Sequence, residues 1–343
     1  MARLGILDGA HAMTATFPAP STQAAYAAAL SGAAFADSSD RGRIWMRDRD
    51  RAALLHRLST NHIERLRPGE GTRTVLTTPI GRIIDLLTIH CHDDGLLLVS
   101  SPGRGPALTA HLRKNIFFND RVKLEDATAA LGQLTLVGPQ AAEALAALGL
   151  PGFGLPAHAT AAGAWQGAAV WVAAAPDASA GGAGFSLYAP AEALPELAAA
   201  LRAAGAPELD PATRETLRVE GGQPAFGSEL SLEYIPLETG LWDAISFNKG
   251  CYVGQEIIAR MESRGRLAKQ LRGLRFPAGA PAGLALPAKL DVDGKEAGDL
   301  TSLAESPRFG TIGLAYVRTA HAAAGTRVGA GGAEAEVVEL PFG

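Results

Sequence analysis

The segment Asn248-Lys249-Gly250-Cys251-Tyr252-Val253-Gly254-Gln255-Glu256-Ile257-Ile258-Ala259-Arg260 carries the densest chemical information in this chain. Its second half, from Gly254 onward, reads as the opening of a helix. Cys251 therefore sits three residues before a helix N-terminus, where the positive end of the macrodipole favours a thiolate over a thiol. Lys249, two residues away, adds positive potential. The same pattern also fits a small buried hydrophobe, the commoner fate of a lone cysteine, and local context leaves both readings open.

Immediately upstream runs Arg214-Glu215-Thr216-Leu217-Arg218-Val219-Glu220-Gly221-Gly222, followed by Gly227-Ser228-Glu229-Leu230 and Ile235-Pro236-Leu237-Glu238-Thr239-Gly240. Glycines at 221, 222, 227, 240, 250 and 254 imply sharp turns and close backbone approaches, a common way to build a ligand wall. Glu220 is placed to accept two hydrogen bonds from a planar amidine-like edge. Lys249 and Arg260 suit an anionic ligand tail. As single charges, all three also fit solvated faces.

The remainder sets bounds. The chain has 343 residues, 47% hydrophobic and 19% charged, with a formal net charge of −4. That length suggests two or three domains. Acidic and basic residues are mixed, with no basic arm or stripe to neutralise a nucleic-acid backbone, so direct nucleic-acid binding is disfavoured. No apolar run approaches the roughly 20 residues that span a bilayer. Met1 to Pro20 lacks a compact apolar signal core, and a cytoplasmic protein is expected. Cys91 and Cys251 are the two cysteines, too few for a disulfide framework.

Outward from the motif, the first third predicts a helix over 50–58, with Leu54, Leu55 and Leu58 on one side. Strands are expected over 73–77, 83–91 and 96–100, the last two joined through Asp94-Gly95, and a helix over 106–117. The next stretch predicts a strand over 131–137, a helix over 139–148, strands over 164–174 and 184–189, and a helix over 191–204. Asp210-Pro211 starts another helix, running to about Leu217. From Lys269 onward, short strands at 271–276, 288–292, 296–302, 310–318 and 335–340 alternate with Gly/Pro turns, the pattern of a small all-β barrel or sandwich. His90 and His92 share a strand face near Cys91, but no third ligand accompanies them and no metal site is assigned. Neither a phosphate-binding loop nor a nucleophile elbow is present.

Lys249-Gly250-Cys251-Tyr252-Val253-Gly254-Gln255-Glu256 resembles the Lys-Gly-Cys-Tyr-x-Gly-Gln-Glu signature of the YgfZ-type proteins, relatives of the glycine-cleavage T-protein. Supporting likenesses cover most of the chain: Pro79-Ile80-Gly81-Arg82-Ile83-Ile84-Asp85, Leu217-Arg218-Val219-Glu220-Gly221-Gly222, Leu300-Thr301-Ser302, and Gly313-Leu314-Ala315-Tyr316-Val317-Arg318. The resemblance implies an α+β, three-domain cloverleaf around a channel for tetrahydrofolate or a one-carbon derivative. The blocks expected are 1–130 (α+β, completed by parts of 210–265), 131–209 (a second α+β domain), 210–265 (the folate and cysteine segment) and 266–343 (all-β).

The implied function is assembly or repair of iron–sulfur clusters in client enzymes, including radical enzymes that modify tRNA, with Cys251 as the reactive group. Glu220 matches the T-protein's pterin-binding glutamate, Lys249 matches a folate-contacting position, and Arg82 and Arg260 match family arginines. Asp85, Tyr252, Gln255 and Arg214 complete the expected folate site. Two departures stand out. Leu86 replaces the second of two paired acids, which weakens aminomethyl transfer because a positioned proton-transfer group is missing. Arg214 stands where some bacterial members place a tryptophan; an arginine can still stack on a planar ring. An aminomethyltransferase and a non-enzymatic folate-sensing adaptor remain the alternatives.

Overall fold

A computed structural model of the protein describes residues 20–178 and 184–343. In chain order, the first block comprises α1 (Pro20–Ser31), β1 (Ala34–Asp37), β2 (Arg41–Arg47), α2 (Arg51–Leu58), β3 (Gly71–Thr77), β4 (Ile83–Cys91), β5 (Gly95–Pro102), α3 (Gly105–Lys114) and β6 (Lys123–Asp126). The second comprises β7 (Leu131–Val137), α4 (Ala141–Ala147), β8 (Thr160–Trp165), β9 (Ala168–Ala174), β10 (Gly184–Pro190) and α5 (Leu194–Ala203). A connecting segment carries α6 (Pro211–Glu220) and α7 (Gln255–Arg264). Last come β11 (Lys269–Phe276), β12 (Ala288–Val292), β13 (Lys295–Ser306), β14 (Gly310–Arg318), β15 (Arg327–Ala330) and β16 (Ala333–Val338).

Two five-stranded sheets, ordered β3-β4-β5-β2-β6 and β1-β7-β10-β9-β8, stand beside a closed barrel ordered β11-β14-β13-β12-β15-β16. The fold is α+β, and the choice between barrel and sandwich falls to the barrel. Two elements depart from the first block drawn at 1–130: α1 packs through Ala25 and Ala29 against Ala34, Ala36 and Val137. β1 also leaves the block and pairs antiparallel with β7, Ala34 opposite Val137, so the second sheet borrows its edge from the N-terminal part of the chain. The expected single strand at 164–174 is a hairpin, β8–β9, turned at Gln166 and Gly167, both at positive φ. Such a turn matches the twist of its strands.

Alternation decides what each sheet buries. In β7, Leu134 and Leu136 enter the core that Leu187 of β10 and Leu197 and Leu201 of α5 complete. Leu54, Leu55 and Leu58 of α2 pack with Leu87, Ile89, Leu96 and Leu98 in the first-sheet core. α6 starts as expected: the Asp210 carboxylate accepts the amides of Ala212 and Thr213 at 3.0 Å each. It runs three residues beyond the expected end, to Glu220.

The connecting segment is clamped to the barrel by a buried charge. A bulge in β13 between Leu300 and Ser302 lets consecutive hydroxyls turn the same way. Thr301 Oγ1 and Ser302 Oγ donate to Glu229 Oε1 at 2.6 and 2.7 Å, while Arg218 Nη1 and the Ala225 amide donate to Oε2 at 3.1 and 2.9 Å. Glu229 has no exposed surface, and its four donors supply what water would otherwise give.

Candidate functional site

Between the two sheets and α6 lies a cavity of about 570 Å³, the size of a pocket for a ligand of folate's class. Its wall follows from strand alternation. Leu86, Thr88 and His90 of β4, Gln133 and Thr135 of β7, and Ser186 and Tyr188 of β10 face it, each set out of phase with the leucines that fill the cores. His90 links the two sheets: its Nε2 meets the Tyr188 hydroxyl at 3.1 Å and its Nδ1 the His158 carbonyl at 3.0 Å. A carbonyl only accepts, so Nδ1 carries a proton and Tyr188 donates to Nε2 when the ring is neutral.

Four arginines, Arg41, Arg73, Arg214 and Arg218, line the cavity against two carboxylates, Asp40 and Glu215. Arg218 is held by Glu215 and Glu229, and Arg73 by Asp243. Arg214 donates to the Asp37 carbonyl at 2.8 Å and weakly to Ser38 Oγ at 3.4 Å. Arg41 and Arg214 have no ion-pair partner within 4.0 Å among the described residues, so their positive charge suits an anionic ligand.

Of the residues expected from sequence, Arg214 is the one that lines this cavity. Glu220 does not. It ends α6 with no exposed surface, and its Oε1 accepts from Tyr26 Oη of α1 and Ser306 Oγ at the end of β13, each at 2.6 Å. Arg308 Nη1 lies 4.0 Å from Oε2. Burial and this carboxylate push the Tyr26 phenol well above its ordinary value. Through Oε1 Glu220 pins α1 to the barrel, while Oε2 is buried with no hydrogen-bond partner among the described residues.

Asp85 is out of phase with the cavity-lining residues of β4 and is fully buried. Its carboxylate accepts Ser101 Oγ at 2.6 Å, the Leu86 amide at 2.9 Å and the Ser101 amide at 3.3 Å. Burial raises its pKa, while the Ser101 hydrogen bonds and the charges of Arg104 and Arg41 oppose the rise. It reaches the cavity through Ser101, which does line it. Arg82 is engaged elsewhere, donating to the Glu233 carbonyl.

The remaining expected residues form a second locality. Cys251 is exposed, whereas the other thiol, Cys91, is buried and pushed up by desolvation. Tyr252 packs with Ile235, Leu237, Ile245 and Ile258, and burial pushes its phenol up to about 12. Gln255 begins α7 half-buried, and Arg260 lies exposed on it. Lys249 is buried, its ammonium 5.0 Å from the Tyr252 ring centre, and all its donors are taken by main-chain carbonyls. Burial pushes that ammonium down, to about 7, and the Glu64 carboxylate pushes it back. The three carbonyls, which only the charged form can fully satisfy, also hold it protonated. None of Cys251, Lys249, Tyr252, Gln255 or Arg260 lines the cavity. Lys249 stands apart from this cavity, with its three donors spent on main-chain carbonyls.

Of the metal-capable residues around 90, His90 is hydrogen-bonded through both ring nitrogens, and His92 Nε2 is buried with no hydrogen-bond partner among the described residues. His92 stacks edge-on against Trp45 and Trp171. Among the described residues no group of three His, Cys, Asp or Glu could hold a metal ion.

Residues 8–249 match the model of the GCVT N-terminal domain, and residues 269–342 match that of the glycine cleavage T-protein C-terminal barrel domain. The chain belongs to the glycine cleavage T-protein family. A chloroplastic protein of Arabidopsis thaliana with a provisional transferase name is 33% identical over 318 residues, covering 91% of this chain and 71% of that one. An aminomethyltransferase of Rubrobacter xylanophilus is 33% identical over 292 residues, 82% of this chain and 75% of its own. The glycine cleavage system aminomethyltransferase T of Bartonella henselae superposes with a TM-score of 0.84 at 24% identity, over 98% of this chain and 93% of that one, a likeness of fold. No helix among the described residues is long and apolar enough to cross a membrane.

The cavity's chemistry fits the folate that this family implies. Gln133 is buried at the wall; its Nε2 donates to Ser186 Oγ at 3.2 Å, while Oε1 is buried without a partner among the described residues. An amide with spare hydrogen-bonding capacity beside an apolar wall of Leu86, Val99 and Val137 is what a flat, hydrogen-bonding heterocycle requires. Gln133, Ser186, Tyr188 and His90 were absent from the sequence-derived site. The signal was present, since Gln133 and Thr135 alternate with leucines, but a solvent-facing strand edge has the same pattern.

Proposed function

We propose that this protein binds tetrahydrofolate, or a one-carbon derivative of it, in the cavity between its two sheets, and uses Cys251 on a separate outward-facing loop to serve the assembly or repair of iron–sulfur enzymes. A cytoplasmic location and iron–sulfur client enzymes or assembly proteins as partners belong to the same reading. The observation that carries it is the contrast between the two thiols: Cys91 is sealed in the first-sheet core, and Cys251 is exposed.

Within the cavity, Gln133 and Ser186 supply the polar edge against a pterin, and Arg214 supplies positive charge. When bound, the folate contributes a one-carbon carrier. The protein's own residues hold and orient it, and Asp85 reaches it through the Ser101 hydrogen bonds. At a free concentration of tetrahydrofolate about 100 times its dissociation constant, the native state is expected to gain roughly 2.7 kcal/mol, read as a rise in unfolding midpoint. A midpoint that does not move at any tetrahydrofolate concentration up to solubility removes folate from the account.

Aminomethyl transfer is the second reading, favoured by the curated aminomethyltransferases the chain resembles. Leu86 at the cavity wall in place of a second acid argues against it. Formation of methylenetetrahydrofolate from an aminomethylated lipoyl carrier separates the two.

A further inference from the structure

Lys249 has no hydrogen bond to spare. Its Nζ donates to the carbonyls of His56 at 2.5 Å, Ser59 at 2.7 Å and Asn61 at 2.7 Å. An ammonium has three donors, so none is left for a ligand. Two of these carbonyls, of His56 and Ser59, belong to the last turn and C-cap of α2, where a helix leaves acceptors unsatisfied and favours a positive charge. Lys249 therefore caps α2 from a segment nearly two hundred residues away.

The chain beyond it is fastened again four residues on. The Val253 amide donates to the Arg57 carbonyl at 3.1 Å, and the Val253 carbonyl accepts Thr77 Oγ1 at 2.6 Å. Gly254 follows at φ 85°, where a Cβ would lie 2.7 Å from the Thr78 carbonyl oxygen. Tyr252 is buried between these anchors. Gly250 and Cys251 are the two exposed residues of the stretch 249–254.

We infer that Lys249 is a positioning residue: it bolts the loop 249–254 to the end of α2, so that the Cys251 side chain is held outward in a fixed orientation, and it makes no contact with ligand in the cavity. This rests on the reading of Cys251 as the reactive group. It gives Lys and Cys of one motif different tasks, anchor and reagent.

The test uses the full-length Lys249→Met variant, which keeps the apolar stem and removes the donors, beside Cys251→Ala. For Lys249→Met, exchange of the Val253 amide, which donates to the Arg57 carbonyl, is expected to quicken by about tenfold or more under conditions where the rest of the fold stays protected. Tetrahydrofolate affinity stays within about twofold of wild type, since the side chain lies off the cavity. Rescue of iron–sulfur enzyme activity in a strain lacking its own counterpart falls toward the Cys251→Ala level at temperatures well below the variant's melting point.

Unchanged loop exchange, or a loss of tetrahydrofolate affinity of about tenfold, overturns the proposal. Should Lys249→Met not fold, Lys249→Gln, which retains two N–H donors, is expected to give intermediate exchange at the same amide; wild-type exchange there overturns it equally. Full rescue by Cys251→Ala instead removes the parent reading, and the exchange result still decides whether Lys249 is the loop's anchor.

Discussion

Replacing Glu220 by alanine is expected to cost about 3 kcal/mol of stability and to leave tetrahydrofolate affinity within about twofold of wild type. The carboxylate has no exposed surface, and it satisfies two buried hydroxyls from distant parts of the chain, Tyr26 of α1 and Ser306 of β13. Deleting it strands both donors and leaves Arg308 without its nearest opposite charge. It also opens a void where α1, α6 and the barrel meet. Urea unfolding reads the stability and calorimetric titration the affinity. A loss of affinity of about tenfold with stability intact would return Glu220 to the ligand.

Glu229→Ala is expected to be the more damaging change, at about 3–5 kcal/mol, because it removes one partner from a buried ion pair. Arg218 keeps Glu215 but loses its bond to Glu229, Ser302 and the Ala225 amide lose their acceptor, and Thr301 is left with the Leu314 carbonyl alone. These groups join α6, the 225–230 turn and the barrel, so the fracture lies between domains. Denaturant midpoints and their slopes check it. The double variant Glu229→Ala, Arg218→Met is expected to lose less than the sum of the singles, since the orphaned cation goes with its partner. A loss under about 1 kcal/mol for Glu229→Ala would contradict the clamp.

Both residues illustrate where sequence reading succeeds and where it stops. Elements marked by local chemistry were legible: the Asp210 cap, the Leu54/Leu55/Leu58 stripe of α2, and the strands on either side of the Asp94-Gly95 turn. The Gly/Pro-punctuated C-terminal strands pointed to an all-β unit, although β15, a four-residue strand in a glycine-rich stretch, has too little pattern to find. β1 was missed for a different reason. Its sequence, Ala-Phe-Ala-Asp, is compatible with a strand, but its membership of the second sheet is a long-range choice that no window of residues contains.

The site shows the same division. The signature around Cys251 is local, and its placement before α7 could be read directly. Which charged side chains share a cavity could not. Glu220, Asp85 and Lys249 have the residue types a folate site needs, yet Asp85 and Lys249 are satisfied by main chain or hydroxyls, and Glu220 spends Oε1 on two hydroxyls while its Oε2 is buried with no hydrogen-bond partner among the described residues. A sequence lists the carboxylate but not its donors. Gln133 was passed over because a polar residue alternating with leucines looks the same whether it meets water or a closed cavity.

The most direct test of the whole account is complementation. A strain lacking its own counterpart of this protein is supplied with either wild type or Cys251→Ala, and the activity of its iron–sulfur enzymes is measured. The account predicts rescue by wild type and activity near the empty-vector level with Cys251→Ala, although that variant folds. Rescue by Cys251→Ala equal to that by wild type would contradict it.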